Sequence, residues 1–141
     1  MPQAPTIEQI IDDFAVIDEW DERYRYIIDL GRKMTPLPAD RRTDDVKVRG
    51  CASQVWLISH RDTNDGVTRL TFEGDSDAMI VRGLIAILLA LYSGKSPSQI
   101  LDVDAKKTLS ALGLDTHLSQ QRSNGLFAMV ERIRADARAA S

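Results

Sequence analysis

The sequence predicts an α+β fold, a small antiparallel sheet packed against helices, and three observations carry that prediction. Gln54 to Arg61 and Val67 to Glu73 are short runs rich in β-branched and aromatic residues, and Thr63-Asn64-Asp65-Gly66 between them is a strong hairpin signal. In the second run Leu70 and Phe72 alternate with Arg69, Thr71 and Glu73, so one sheet face is apolar and the other polar. Helical patterns fill both flanks, and from Leu84 to Tyr92 the pattern is apolar nearly all round, as in the central helix of a domain.

The elements follow in order. Thr6 is placed to cap a helix from about Ile7 to Val16, with Glu8, Asp12 and Asp13 on it and Ile7, Ile10, Ile11 and Phe14 at helical spacing as its buried stripe. After a break at Ile17-Asp18, a second helix from about Glu19 to Lys33 turns Trp20, Tyr24, Ile27, Ile28 and Leu30 inward, making an antiparallel helical hairpin with the first. Pro36 and Pro38 end it, and the charged stretch Ala39 to Lys47 reads as an exposed connection to Cys51, one that could also move. Val46 to Val48 is a candidate third strand. Gly74-Asp75-Ser76-Asp77 reads as the opening of a helix from about Asp77 to Tyr92, with the two aspartates as caps. Ser96-Pro97 starts a short helix to Leu101, since proline suits the first helical position. Asp104 to Leu112 is another, closed by Gly113. The last helix, about Ser119 to Ala139, buries Leu126, Met129, Val130 and Ile133.

Composition narrows the class. At 141 residues, with no repeat or low-complexity linker, the chain suits one domain over residues 1–141. One cysteine provides neither a disulfide framework nor a zinc cluster, which fits a reducing cytoplasm. The start carries Glu8, Asp12 and Asp13 instead of a basic region and an apolar run, so no leader is expected there. The longest apolar run is too short to cross a bilayer. Net charge is −3 and uneven: seven acids and no lysine or arginine in the first 22 residues, four arginines against two acids from Ser119 on. Four arginines with one aromatic, Phe127, among them do not make a nucleic-acid surface. A protein-docking surface and plain solvated helix faces both account for the asymmetry.

The remaining chemistry centres on Val48-Arg49-Gly50-Cys51-Ala52-Ser53-Gln54-Val55-Trp56-Leu57. Arg49-Gly50 reads as a turn feeding the first strand, with the thiol at its mouth. A lone cysteine is commonly a small buried hydrophobe. Against that, Lys47 and Arg49 favour the thiolate, small neighbours at Gly50, Ala52 and Ser53 permit close approach, and any disulfide must be made with another molecule. Ser53 and Gln54 read either as hydrogen-bonding residues that hold the loop or as simple strand-start residues. Trp56, Val55 and an apolar helix face are the expected shield for the sulfur. His60 and His117, the only histidines, lie far from Cys51 in sequence, which disfavours a cysteine–histidine hydrolase without forbidding a meeting in space. No metal-ligand spacing or glycine-rich phosphate loop is present, and no cofactor is expected.

The nine residues Val48 to Trp56 closely resemble the cysteine signature of the SufE family, sulfur acceptors for cysteine desulfurases. Tyr24 to Gly31, Gly74 to Ala78, Ile80 to Ala86 and Arg122 to Leu126 resemble further family blocks in family order, from about Ile7 to Ala137. The resemblance implies an α+β fold like that of SufE and the IscU scaffold proteins. It implies that Cys51 takes persulfide sulfur from a pyridoxal-phosphate-dependent, SufS-like cysteine desulfurase, stimulates that enzyme, and passes the sulfur to a SufBCD-like iron–sulfur scaffold complex. Arg49, Gly50, Ser53 and Gln54 beside the cysteine, with Asp75, Asp77 and Arg122 in outlying blocks, are then the expected partner contacts. The expected state is a monomer or weak homodimer, and the sulfur leaves only by transfer to another protein. A paralogous member serving another desulfurase and acceptor is the nearest alternative. An IscU-like cluster scaffold is disfavoured, because a cluster takes several cysteine ligands and this chain has one.

Overall fold

The structure, a computed structural model, describes residues 5–51 and 53–140; Ala52 of the cysteine motif lies outside the described residues. The order is α1 (Ile7–Val16), α2 (Trp20–Lys33), two 3₁₀ turns (Ala39–Arg41 and Asp44–Val46), β1 (Val55–Asn64), β2 (Val67–Ser76), α3 (Met79–Tyr92), α4 (Pro97–Asp102), α5 (Ala105–Ala111), α6 (Leu114–His117) and α7 (Gln120–Ala140). This is the α+β class expected, with β1 and β2 antiparallel and one apolar core beneath them.

The hairpin is built on local chemistry. Asn64 pairs with Val67, leaving Asp65 and Gly66 as a two-residue turn with φ of 52° and 76°. Two successive positive φ values define a type I′ turn, whose twist matches the strands it joins. Pairing therefore runs to the turn itself, and both strands are longer than periodicity suggested. The Val46 to Val48 strand reduces to a single bridge, Lys47 with Trp56, where the Val48 amide donates to the Val55 carbonyl at 2.8 Å.

β2 also outruns its expected end at Glu73, and the reason lies in α3. A Cβ at Gly74 would stand 2.6 Å from Ile85 Cγ2 and 2.9 Å from Leu57 Cδ2. Gly74 thus lets the central helix pack directly on the sheet, and strand pairing continues through Asp75 and Ser76. The aspartates do not cap α3, which begins at Met79 with Ala78 at its cap position and no side-chain cap. Asp75 instead is buried on the sheet, and Asp77 closes onto β1.

The second departure concerns the helices. α2 packs along α3, not along α1 as a two-helix hairpin. It meets α1 through Phe14, whose ring stands edge-on to Tyr26 at 5.4 Å, and through Arg23, which donates to the Phe14 and Ile17 carbonyls. Ile11, expected in the stripe, is 37% exposed. The α2–α3 approach is close because two glycines meet: a Cβ at Gly83 would run into the Ile27 carbonyl oxygen, and one at Gly31 would lie 2.7 Å from the Gly83 amide nitrogen. Gly83→Ala is therefore expected to force the helices apart and lower stability by about 3 kcal/mol, read from the urea midpoint.

Elsewhere the local signals hold. Thr6 and Gln9 form a reciprocal capping box on α1, and Ser96 and Gln99 form another on α4. Leu126, Met129, Val130 and Ile133 are buried on α7. The single turn α6, following Gly113, had no separate signal in the sequence; its Leu114 is buried.

Candidate functional site

Cys51 follows Gly50, which has a φ of 92° and turns the chain sharply before β1. The turn rests on α7, where an ideal Cβ at Gly50 would stand 3.3 Å from Ala128 Cβ. Gly125, one turn earlier on the same helix face, borders the thiol: an ideal Cβ there would make ordinary contact with Cys51 Sγ at 3.4 Å. Sγ donates to the Gly125 carbonyl oxygen at 3.5 Å, a weak bond within sulfur's reach. Beside it opens a cavity of about 310 Å³, with Val81 and Leu84 of α3 and Met129 of α7 on its apolar wall.

Around this cavity the flanking segments are tied down. The Gln54 amide donates to Asp77 Oδ1 at 3.0 Å and the Asp77 amide to the Gln54 carbonyl at 3.4 Å, so Asp77 fixes the start of β1. On the other side, Arg132 of α7 donates to the carbonyls of Lys47 and Asp45. The exposed connection is thus bonded to the helix that carries Gly125, and Arg41 pairs with Glu73 at 3.0 Å to hold it over the sheet.

The expected site residues separate into three groups. Cys51, Ser53 and Arg122 line the cavity together. Arg49, Gly50, Gln54 and Asp77 are exposed around it on the surface. Asp75 is 3% exposed, with its carboxylate turned into the fold: it accepts from the Leu37 amide at 2.9 Å and pairs with Arg82 at 3.2 Å. Gly125, Gln121, Ser119, Val81, Leu84 and Met129 line the cavity as well and were not expected among the site residues. A glycine and an alanine three apart, Gly125 and Ala128, were the available sign of a close approach on α7.

The electrostatics reverse one expectation. Lys47 and Arg49 were expected to lower the thiol's pKa, but burial pushes the Cys51 thiol up. Arg49 is exposed, and Lys47 Nζ lies 3.5 Å from Gln54 Oε1. Desolvation disfavours the thiolate, and solvent screens the two cations. Alkylation of Cys51 by iodoacetamide is accordingly expected to be slower at neutral pH than for an unstructured cysteine peptide. Its pH–rate curve should lie on the alkaline side of the peptide's; a curve on the acid side would refute this.

The expected shield is corrected in part: the apolar helix face is there, in Val81 and Leu84 of α3, but the two strand residues are not. Trp56 does not line the cavity; its ring lies under the Arg42 guanidinium at 5.5 Å, and Val55 is fully buried away from it. The histidines are engaged elsewhere. His60 Nε2 stands 2.6 Å from Glu73 Oε1, and with Arg41 it holds that carboxyl below its ordinary pKa. His117 stacks on Trp20 with ring centroids 4.3 Å apart. No cysteine–histidine pair forms among the described residues. A larger groove, about 690 Å³ between α1, α2, α3 and β2, shares no residue with the Cys51 cavity and contains no nucleophilic thiol.

The match to known proteins decides the family. The SufE domain, described as an Fe-S metabolism associated domain, matches residues 8–137. The chain belongs to the SufE family. A SufE-like protein of Rhizobium meliloti is 52% identical over 132 residues, covering 94% of both chains. Another, of Rhizobium etli, is 53% identical over 133 residues, covering 94% of this chain and 90% of its own. The solution structure of a hypothetical protein from Thermus thermophilus has the same fold, with a TM-score of 0.70 at 23% identity over 99% of this chain and 98% of its own. The SufE family places the chain in Fe–S metabolism. Among the described residues no helix is long and apolar enough to cross a membrane, and no three His, Cys, Asp or Glu side chains converge to hold a metal ion.

Proposed function

We propose that this SufE-family chain, acting as one domain, is a sulfur acceptor and activator of a pyridoxal-phosphate-dependent cysteine desulfurase, in the cytoplasm, with an iron–sulfur scaffold complex as recipient. The observation that carries the reading is the thiol itself: the chain's one cysteine sits in a glycine-permitted turn, beside a cavity with room for a second sulfur. The step is a thiol exchange. Cys51 thiolate attacks the outer sulfur of the desulfurase persulfide; the new bond forms on Cys51 and the desulfurase cysteine leaves as thiolate. The Cys51 proton passes to that departing sulfur or to water.

Burial suits the product more than the attack. The raised pKa keeps the resting thiol protonated, and Val81, Leu84 and Met129 would shelter a persulfide from solvent reductants. Attack then requires docking to draw Sγ off the Gly125 carbonyl into a more polar setting. Arg49, Gly50, Ser53, Gln54, Asp77 and Arg122, around the mouth, are the proposed contacts with the desulfurase; Asp75 acts through the fold that presents them.

The test is intact mass with peptide mapping after mixing the protein with a cysteine desulfurase and L-cysteine. One reductant-labile sulfur on Cys51 is the expected result. An unmodified Cys51 beside a faster desulfurase would reduce the role to activation, and neither effect with several desulfurases would refute it.

A further inference from the structure

The cavity beside Cys51 is larger than one added sulfur requires. At about 310 Å³ it reaches the lower end of the range for pockets that take whole small molecules, about 300–1,000 Å³. Its lining is divided. Val81, Leu84 and Met129 make an apolar wall, while Ser119, Gln121 and Arg122 at the start of α7 make a polar one. Among the described residues that line it, Arg122 is the only charged side chain, and no carboxylate opposes it. The Arg122 backbone amide donates to Ser119 Oγ at 3.3 Å, whereas its guanidinium has no hydrogen bond or ion pair among the described residues.

A free guanidinium has a donor fork matched to a carboxylate. Here Arg122, an exposed residue, lines the same cavity as the thiol, and a short molecule bearing both a carboxylate and a sulfur is matched to both groups. We propose that this cavity binds low-molecular-weight thiols and disulfides that carry a carboxylate, with Arg122 on the carboxylate and the ligand's sulfur toward Cys51 Sγ. In the disulfide case Cys51 thiolate attacks RS–SR, Cys51–S–SR forms, RS⁻ leaves, and the Cys51 proton goes to water. Resting on the acceptor reading above, the same geometry names a small-molecule recipient. A Cys51 persulfide meeting RS⁻ returns Cys51 thiolate and releases RS–SH, with no external oxidant or reductant.

The test uses the full chain without a desulfurase, so that its failure is distinct from failure of the acceptor reading. Mixed-disulfide formation is followed by intact mass with 3,3′-dithiodipropionate, cystamine and 2-hydroxyethyl disulfide, which share a two-carbon arm and differ in the end group. Each rate is divided by that of the same chain unfolded in urea, which removes the reagents' intrinsic differences. The folded protein is expected to favour the dicarboxylate over cystamine by about tenfold, the size of one charge-assisted contact exchanged for a repulsion. Arg122→Gln is expected to abolish the preference, read as the ratio of the dicarboxylate's normalised rate to the neutral reagent's in the same variant. Equal normalised rates, or a preference that survives Arg122→Gln, would overturn the site and leave the desulfurase experiment standing.

Discussion

Replacing Cys51 by serine is expected to abolish persulfide acceptance altogether while leaving the fold nearly unchanged. Serine is close to isosteric, and its hydroxyl can donate to the Gly125 carbonyl that the thiol now reaches at 3.5 Å. The cavity on the other side is already open, so no packed neighbour is lost. The stability change is therefore expected within about 1 kcal/mol. A hydroxyl has no thiolate and accepts no sulfur, so the loss of function is complete and chemical. Mass analysis after incubation with a desulfurase and L-cysteine checks the first half, and a urea titration checks the second. Sulfur retained on the Cys51→Ser chain would place the acceptor elsewhere.

Removing the Arg82 side chain is expected to produce the largest loss of stability. Arg82 is the bolt of the molecule: it pairs with Asp75 Oδ1 at 3.2 Å and donates to the Gly31 carbonyl at 3.2 Å and the Met34 carbonyl at 2.8 Å. It thereby joins α3, the end of α2 and the end of β2. The pair is enclosed, with side-chain exposures of 14% for Arg82 and 4% for Asp75. Arg82→Met would leave the Asp75 carboxylate buried without its cation, and losing one partner of such a pair costs about 3–5 kcal/mol. Asp75 would keep the Leu37 and Ser76 amides, which do not neutralise it. Urea denaturation of Arg82→Met, of Asp75→Leu and of the double variant checks this. The double variant should be more stable than the sum of the singles predicts, since the burial penalty disappears with the second charge. Additive losses would mean that the ion pair does not couple the two sites. Arg82 lies between Val81 and Leu84, which wall the cavity, so faster alkylation of Cys51 should accompany the lost stability.

These residues also mark where sequence reasoning reaches and where it stops. The Asp65-Gly66 turn, the Thr6–Gln9 and Ser96–Gln99 capping boxes and the apolar stripe of α7 were legible because each involves groups within a few residues. The family was legible too, from a pattern centred on the cysteine stretch, and the SufE match bears that family out. Asp75 was misread as a helix cap because a local rule offered a partner two or three residues ahead. Its carboxylate instead found an amide 38 residues back, at Leu37. Strand pairing of Trp56 with Asp75 carried β2 past the point at which a helix could begin.

The sequence by itself determined the α+β class, the hairpin and its turn, the caps at Thr6 and Ser96 and Cys51 as the one thiol, because these depend on residue identity, dihedral preferences and neighbours within a turn or two. Tertiary structure alone decided the state of that thiol. The carbonyl it meets is 74 residues away, and α3 and α7 close the cavity beside it. Nearby cations in the chain argued for a thiolate, but desolvation depends on which surfaces come together. Here burial against Gly125 raises the thiol's pKa, while Arg49 stays in water.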